Sequence, residues 1–281
     1  MKILKRLRYL QAPFAFLCLS LAACNHDNVA EVCLPKSFRT FNSDSVAYQY
    51  DDARKLTAVY SYYDKNDMKD RTDLVYNNGN LVTVTHTFTT DPPYIDHIYS
   101  IEYGDDNLPS KLTDVIPNSD GKYITEFTHD ESKRLVKAVT KIDIPSWQGP
   151  VVVNGYSYEY NEDGNVTRVK YVVNDSGTGG LTEVVARENM TFDNHQVFYA
   201  SSKDLAILNV YVSRCIPNVN NVLTSKITWR SYSVNFMSPV DISFVPVYDD
   251  AGKLKQYTTI DVYSAPAFGD LTFTKGTYDC R

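Results

Sequence analysis

The stretch Tyr158–Val166, with the sequence YEYNEDGNV, decides the fold of this chain. Two tyrosines two residues apart are followed by a run of Asn, Asp and Gly, and the run ends in a valine. Side chains two apart share one face of a β-strand, whereas Asn, Asp and Gly are the usual residues of tight turns. The stretch therefore predicts one β-hairpin, with its turn near Gly164.

Copies of this phrase recur along the chain. The second aromatic position is occupied in seven copies, by Tyr50, Tyr76, Tyr103, His129, Tyr160, Phe192 and Tyr248. Most steps between these positions are 26 to 32 residues, but the last step is 56 residues. The long step predicts a further, degenerate hairpin near residues 211–222. A repeat of this length indicates one architecture built from like units.

The repeat predicts an all-β fold. Two strands per unit give about 14 to 16 strands in an antiparallel meander of hairpin repeats. So large a twisted sheet curves strongly, and we expect it to close or nearly close into a barrel or cocoon. Beyond residues 1–23, the sequence contains no pattern typical of a long amphipathic helix.

The N-terminal segment has the features of a targeting sequence. Basic residues precede a short apolar run, which ends in Leu21-Ala-Ala-Cys24 and resembles a bacterial lipobox. We predict a signal peptide over 1–23, a lipidated tether and entry segment over 24–44, and a single β-repeat domain over 45–281. Acylation of Cys24 would anchor the chain to a bacterial outer membrane, at its periplasmic face or at the cell surface.

The net charge restricts the partners. The whole chain carries a net charge of −6, and removal of the four basic residues of the signal lowers it to −10. An acidic body of this kind disfavours nucleic acid as a partner. We expect instead a membrane contact through the lipid and a glycan or an envelope protein as the partner.

Three cysteines remain once Cys18 is removed and Cys24 is acylated. An odd number in an oxidising compartment indicates one disulfide and one buried thiol. We favour a bond between Cys33 and Cys280, with Cys215 to Cys280 as the alternative.

The phrase Tyr-x-Tyr-Asp-x-x-Gly-x-Leu resembles the YD repeat of RHS-type shell proteins. The combination of lipobox, early Cys33 and terminal Tyr278-Asp-Cys280 is similar to Bacteroidota lipoproteins assigned to a domain of unknown function with a porin-like β fold. These resemblances imply the architecture and no activity. The turn glycine of the pattern is absent at Ala53, Ser132 and His195.

No catalytic residue, cofactor or metal site is predicted. The acidic pairs at 51–52, 105–106 and 249–250 occupy turn positions, which accounts for them without calcium. His86 and His97 are interpreted as strand histidines rather than as a metal pair.

Aromatic side chains are the candidate ligand contacts. Trp147 lies in a Pro- and Gly-flanked loop, Trp229 lies in a predicted strand, and Tyr156 and Tyr158 lie on one strand face. Such faces can stack on sugar rings. They can equally fill the inside of a curved sheet.

Three functions remain open on this evidence. The favoured function is a non-enzymatic, lipid-anchored binding or interaction module. The alternatives are a purely structural scaffold and, as the least favoured, an envelope hydrolase. A hydrolase would require a concave cluster of carboxylates outside the turns.

Overall fold

A computed structural model describes residues 33–39, 45–63, 67–174, 181–228, 240–250, 252–259 and 275–280 of the chain. One compact unit spans Leu34–Asp279. The other comprises Met1–Cys33 and Cys280–Arg281, of which only Cys33 and Cys280 are described. The predicted signal 1–23 and the predicted lipidation site Cys24 lie outside the described residues.

The fold is all-β, as the repeat predicted. The described strands are β1 (Cys33–Arg39), β2 (Ser45–Tyr50), β3 (Leu56–Tyr63), β4 (Asp67–Asn77), β5 (Asn80–Phe88), β6 (Tyr94–Tyr103), β7 (Pro109–Val115), β8 (Lys122–His129), β9 (Leu135–Asp143), β10 (Val151–Tyr160), β11 (Val166–Asn174), β12 (Leu181–Gln196), β13 (Asn220–Ile227), β14 (Val240–Tyr248), β15 (Leu254–Thr259) and β16 (Lys275–Cys280). They form one sheet in which β1 to β15 follow one another in chain order and β16 lies beside β1. The sheet therefore begins at Cys33, within the segment predicted as tether and entry.

The repeat turns are stabilised by their first residue. In the turn between β10 and β11, the backbone N–H of Asn165 donates to Oδ1 of Asn161 at 2.8 Å. The residue before Asn165, Gly164, has a φ of +81°, which glycine adopts without strain. The same side-chain contact recurs at Asp51, Asp130 and Asp249.

In the repeats that lack the turn glycine, the left-handed residue is not the one that the sequence pattern suggested. The left-handed conformation of Gly164 falls on Arg54, with a φ of +62°, and on Lys133, with a φ of +65°. Ala53 and Ser132 are each one position earlier. The reason is that the Asp or Asn at the start of the turn determines its conformation. The left-handed residue lies three positions after it.

A β-bulge precedes the second aromatic residue of six hairpins. The register shifts fall immediately before Tyr50, Tyr76, Tyr103, His129, Tyr160 and Tyr248. Because a bulge interrupts the ladder of backbone hydrogen bonds, it leaves nearby backbone groups to find other partners.

Tyrosine hydroxyls supply those partners between successive repeats. The hydroxyl donates to the first residue of the return strand of the preceding hairpin: Tyr76 to the Leu56 carbonyl at 2.7 Å, Tyr103 to Leu81 at 2.8 Å, Tyr160 to Leu135 at 2.6 Å and Tyr278 to Leu254 at 2.8 Å. The repeated phrase therefore encodes a contact between neighbouring hairpins as well as each hairpin itself.

Removing one of these hydroxyls tests the contact. We expect Tyr76→Phe to lower the free energy of unfolding by about 0.5–1.5 kcal/mol, because the Leu56 carbonyl loses its donor. Tyr94 is 51% exposed and its hydroxyl has no hydrogen bond to the described residues, so Tyr94→Phe is the control. Equal urea midpoints for the two variants would contradict the role of the hydroxyl.

The predicted degenerate hairpin at 211–222 is wrong. Between β12 and β13 the chain forms a 3₁₀ turn (Phe198–Ser201), one short α-helix, α1 (Lys203–Ala206), and a π-helical turn (Ile207–Val212). We call residues 198–212 the internal segment. It packs into the hydrophobic core through Leu205, Leu208 and Tyr211, among others. This insertion, rather than a hidden repeat, accounts for the step of 56 residues.

The position of the internal segment distinguishes the inner face of the sheet from the outer face. Repeat leucines such as Leu56 and Leu81 are completely buried in the same core as this segment, so this is the inner face. The outer face of β6–β12 carries cross-strand ion pairs, among them Glu102–Lys111, Glu126–Lys141, Glu159–Arg168 and Lys137–Glu183. These charged groups are partly exposed, as expected of a surface in contact with water.

The sheet nearly closes through its last strand. β16 lies beside β1, where the Ser37 and Thr277 hydroxyls are 2.7 Å apart. It also reaches β15, because the Tyr278 hydroxyl donates to Leu254. The Phe38 ring lies edge-on to the rings of Tyr48 and Tyr278 at this junction. Tyr278 thus acts as the second aromatic residue of a final, incomplete repeat.

Candidate functional site

A cavity of about 310 Å³ lies on the inner face of the sheet. Strands β6 to β10 supply one wall, and Val212 and Arg214, at the end of the internal segment and just after it, supply another. The apolar part of the lining includes Leu112 and Ala138. The polar part includes Tyr99, Tyr123, Tyr156, Asp114, Asn154 and Arg214.

Three polar groups of this lining are not engaged by any residue in the described part of the chain. The hydroxyls of Tyr99 and Tyr123 and the amide of Asn154 form no hydrogen bond with any residue that the structure describes. Burial raises the pKa of Tyr99 to about 12, so its hydroxyl is a neutral donor at physiological pH. Groups of this kind can fix the orientation of a polar ligand.

Among the described residues that line the cavity, Arg214 is the single cation. Its Nη2 donates to Oγ1 of Thr125 at 2.6 Å, and its guanidinium lies over the Phe127 ring at 5.2 Å from the centroid. Nη1 is buried and has no hydrogen-bond partner in the part of the chain that the structure describes. Within the described residues, Arg214 forms no ion pair. Burial lowers the pKa of this guanidinium, although the Asp114 carboxylate in the same lining opposes the shift.

The backbone places Arg214 at the cavity. Its φ is +61°, a left-handed conformation that costs a residue with a Cβ about 1–2 kcal/mol. This single residue turns the chain at the end of the π-helical turn. The side chain is consequently directed towards β8 rather than along the internal segment, as its bond to Thr125 requires.

A second polar cluster also lies on the inner face. It alternates carboxylates and imidazoles in the order Asp70, His86, Asp96, His97 and Asp114. The closest contact joins His97 Nδ1 to Asp114 Oδ1 at 2.8 Å, and Asp114 also lines the cavity. His86 and His97 face each other directly in the register of β5 and β6.

A β-bulge explains why the cluster includes Asp96. Consecutive residues of a strand normally point to opposite faces. The register of β5 and β6 shifts between His86 and Thr87, so Asp96 is the extra residue beside His97. The bulge brings both side chains to His86, with Asp96 Oδ2 at 3.5 Å from His86 Nδ1.

Asp70 is destabilising in its ionised form. Its pKa is raised chiefly by burial and further by Asp96, although His86 opposes the shift. A carboxyl whose pKa is higher in the folded chain weakens the fold above that pKa, and the penalty disappears below the ordinary value of 3.8. We expect Asp70→Asn to raise Tm at pH 7, with the gain vanishing near pH 3.

The matched control for this prediction is Asp73→Asn. Asp73 lies on the same strand but forms an exposed ion pair with Arg71 at 2.7 Å. Because exposed pairs contribute about 0–1 kcal/mol, this variant should have the same Tm or a slightly lower one. A lower Tm for Asp70→Asn than for the parent chain at pH 7 would contradict the conclusion that ionised Asp70 destabilises the fold.

The structure places the aromatic candidates in different environments. Tyr156 lines the cavity, whereas Tyr158 is buried in the core with 6% of its surface exposed. Trp147 is 48% exposed in the loop that joins β9 to β10, the strands that supply Thr140 and Asn154 to the cavity. Trp229 lies outside the described residues.

The cysteines are described in part. Cys33 is disulfide-bonded, but the side chain of Cys280 lies outside the described part of the chain. The alternative pairing of Cys215 with Cys280 is not present, because Cys215 is a buried thiol whose Sγ lies 3.9 Å from Asn209 Oδ1.

The described residues contain no group of three or more His, Cys, Asp or Glu side chains arranged to hold a metal ion. The same part of the chain has no helix that is long and apolar enough to cross a membrane.

Sequence reasoning missed Arg214. Its neighbourhood, residues 205–216, has the sequence LAILNVYVSRCI, in which Arg214 is the only charged residue. A lone charge in an apolar run is a signal of a buried functional group, since burial of an unpaired charge is costly. Because a hairpin is predicted at 211–222, the charge of Arg214 is not interpreted in this way from the sequence.

Comparison with known proteins gives structural likenesses at low sequence identity. The chain is similar to a porin-like protein from Bacteroides uniformis ATCC 8492, with a TM-score of 0.48, 10% identity, and coverage of 89% of this chain and 96% of that one. It is also similar to TcdB2-TccC3 in complex with Cdc42, with a TM-score of 0.32 and 12% identity over 78% of this chain. A third likeness is to TcdB2-TccC3 without its hypervariable C-terminal region, with a TM-score of 0.31 and 16% identity over 77% of this chain.

The chain spans 12% and 9% of the length of the two TcdB2-TccC3 chains. No protein-family model matches this sequence. No curated protein matches it either.

Proposed function

We propose that this chain is a non-enzymatic binding module of the bacterial cell envelope and that the inner cavity holds a sugar unit of a glycan. The observation that carries the proposal is the cavity lining. Tyr99, Tyr123 and Asn154 present polar groups that no described residue engages, beside apolar side chains. A volume of about 310 Å³ is at the small end for ligand sites and suits one or two sugar rings.

The chemistry of the lining fits a sugar. A sugar ring has hydroxyls around its edge and C–H groups on its faces, so it needs both hydrogen-bonding groups and flat apolar surfaces. The cavity offers three tyrosine rings, together with the hydroxyls of Tyr99 and Tyr123, which no described residue engages. The exposed Trp147, on the loop between β9 and β10, is a further stacking surface for a neighbouring unit of the same glycan.

Titration of the purified full-length chain with a panel of neutral and acidic monosaccharides and disaccharides tests this proposal. We expect saturable binding that Tyr123→Ala and Asn154→Ala weaken about tenfold, as loss of a ligand hydrogen bond and a stacking face implies. Tyr94→Ala removes a half-exposed tyrosine outside the cavity and should bind as the parent does. Absence of saturable binding across the panel would refute the function.

Trp147→Ala separates the loop from the cavity. It should weaken retention on a polysaccharide column without lowering Tm, while monosaccharide binding is unchanged. Unchanged retention of Trp147→Ala would show that the loop does not contact the glycan.

Attachment to the outer membrane through Cys24 is part of the same proposal. The lipobox-like Leu21-Ala-Ala-Cys24 supports it. Labelling with a radioactive fatty acid should mark the parent chain and not Cys24→Ala, which should fractionate away from membranes. Label on Cys24→Ala would place the acyl group elsewhere.

An envelope hydrolase is the second candidate, because the inner face does carry carboxylates outside the repeat turns. Asp114 is the member of the Asp–His cluster that lines the cavity, and His97 Nδ1 lies 2.8 Å from it. Release of reducing sugar from a bound oligosaccharide, abolished in Asp114→Asn, would favour this candidate. Binding without turnover would favour the module.

A further inference from the structure

We infer that the ligand of the cavity carries a single carboxylate, as a uronic acid does, and that Arg214 binds this carboxylate. The inference rests on the proposed function and adds the chemical class of the sugar. It depends on three properties of Arg214 among the described residues: it forms no ion pair within 4 Å, its Nη1 has no hydrogen-bond partner, and its neighbours hold it in place.

The unpaired charge is the first step. Ion pairs elsewhere in the described part of the sheet join lysine or arginine to a carboxylate within 4 Å, as in Arg134 with Asp130 at 2.8 Å. Arg214 has no such carboxylate among the described residues. Because a buried charge without a direct ion pair is costly, an anionic ligand in contact with Arg214 would offset part of that cost.

The unsatisfied nitrogen is the second step. Nη2 is already engaged by the Thr125 hydroxyl, whereas the buried Nη1 has no partner. A guanidinium has donors in a rigid, planar fork, which matches the two oxygens of a carboxylate. The free Nη1 on this fixed fork therefore offers a charged donor to an oxygen of a carboxylate.

The fixed geometry is the third step. Thr125 is itself buried and its hydroxyl lies 2.9 Å from that of Thr140, so the group that holds Arg214 is in turn held. The Phe127 ring supports the guanidinium from one side. Such an arrangement spares the ligand part of the entropy cost of ordering a long side chain.

The charge of the ligand is limited by Asp114. This carboxylate lines the same cavity as Arg214. One cation and one nearby anion favour a ligand with one negative charge over a doubly charged phosphate, which Asp114 would repel. The neutral hydroxyls of Tyr99 and Tyr123 remain as partners for the hydroxyls of the sugar ring.

The test compares glucuronate with glucose, and galacturonate with galactose, by titration into the full-length chain at constant ionic strength. We expect the uronate of each pair to bind about tenfold to a hundredfold more tightly, and glucose 6-phosphate to bind no better than glucose. Equal affinity for uronate and neutral sugar would overturn the inference, and so would preference for the phosphate.

Variants locate the effect at Arg214. Arg214→Gln should reduce the ratio of glucuronate affinity to glucose affinity to about one, and Arg214→Lys should retain part of the preference. Arg71→Gln, which removes an exposed arginine paired with Asp73, is the control and should keep the full preference. Full preference in Arg214→Gln would also overturn the inference.

The outcomes for the two proposals are distinguishable. Binding of neutral sugars that Asn154→Ala weakens, without a uronate preference, would leave the proposed function standing and refute the role of Arg214. Absence of binding for every sugar would refute both. The comparison of glucuronate with glucose needs no variant, so it decides the inference even if Arg214→Gln does not fold.

Discussion

Replacing Leu205 by alanine is expected to lower the free energy of unfolding by about 2–5 kcal/mol. Leu205 is the residue of α1 that is completely buried, and it joins the core formed with the repeat leucines. The internal segment is only a few turns long, so its conformation depends on this packing rather than on helix propensity. The change is measured by urea denaturation.

Leu181→Ala is the matched control for this variant. Leu181 begins β12 and is 49% exposed, so the same atoms are removed from a site that is not buried. Its cost should be below about 1 kcal/mol, as is usual for surface substitutions. If both variants had the same urea midpoint, the internal segment would not be part of the core.

Replacing Gly155 by alanine is expected to cost about 1–3 kcal/mol, although the change adds only one methyl group. A Cβ at this position would lie 2.7 Å from the carbonyl oxygen of Ala138 and 3.2 Å from the Cα of Val139. Both contacts are with the backbone of β9, which cannot move without disturbing its hydrogen bonds to β10. The loss should be visible as a lower Tm in calorimetry.

Gly121→Ala provides the comparison. A Cβ there meets Cγ1 of the Ile144 side chain at 3.1 Å, and a side chain can rotate away. We expect a change within about 0.5 kcal/mol. A cost for Gly121→Ala as large as that for Gly155→Ala would show that the close approach of β9 and β10 is not the cause.

The hairpins were predictable because their determinants are local. The alternation of Tyr158 and Tyr160 and the turn at Asn161–Gly164 lie within nine consecutive residues, and the structure confirms them. The strand number was also predictable from the repeat. The contact from each repeat tyrosine to the preceding hairpin was not, since it depends on a bulge that leaves no sequence signature of its own.

The candidate site was predictable only in part. Tyr156 was identified because its strand has a regular pattern. Arg214 comes to the cavity through the internal segment, whose π-helical turn and left-handed end are imposed by tertiary packing. Asp96 reaches His86 and His97 only because a bulge reverses the face that its position implies. Such displacements by one residue cannot be read from periodicity.

The position of β16 has a consequence for incomplete chains. A product that stopped before Lys275 would still contain the described hairpins of the meander, but β1 would expose the row of backbone N–H and C=O groups that β16 covers in the intact chain, while β15 is already the other terminal strand of the described sheet. Two such fragments could satisfy those groups on each other, and the result would be head-to-tail polymers. The final six-residue strand thus protects the edge of β1 from pairing with a second copy of this chain.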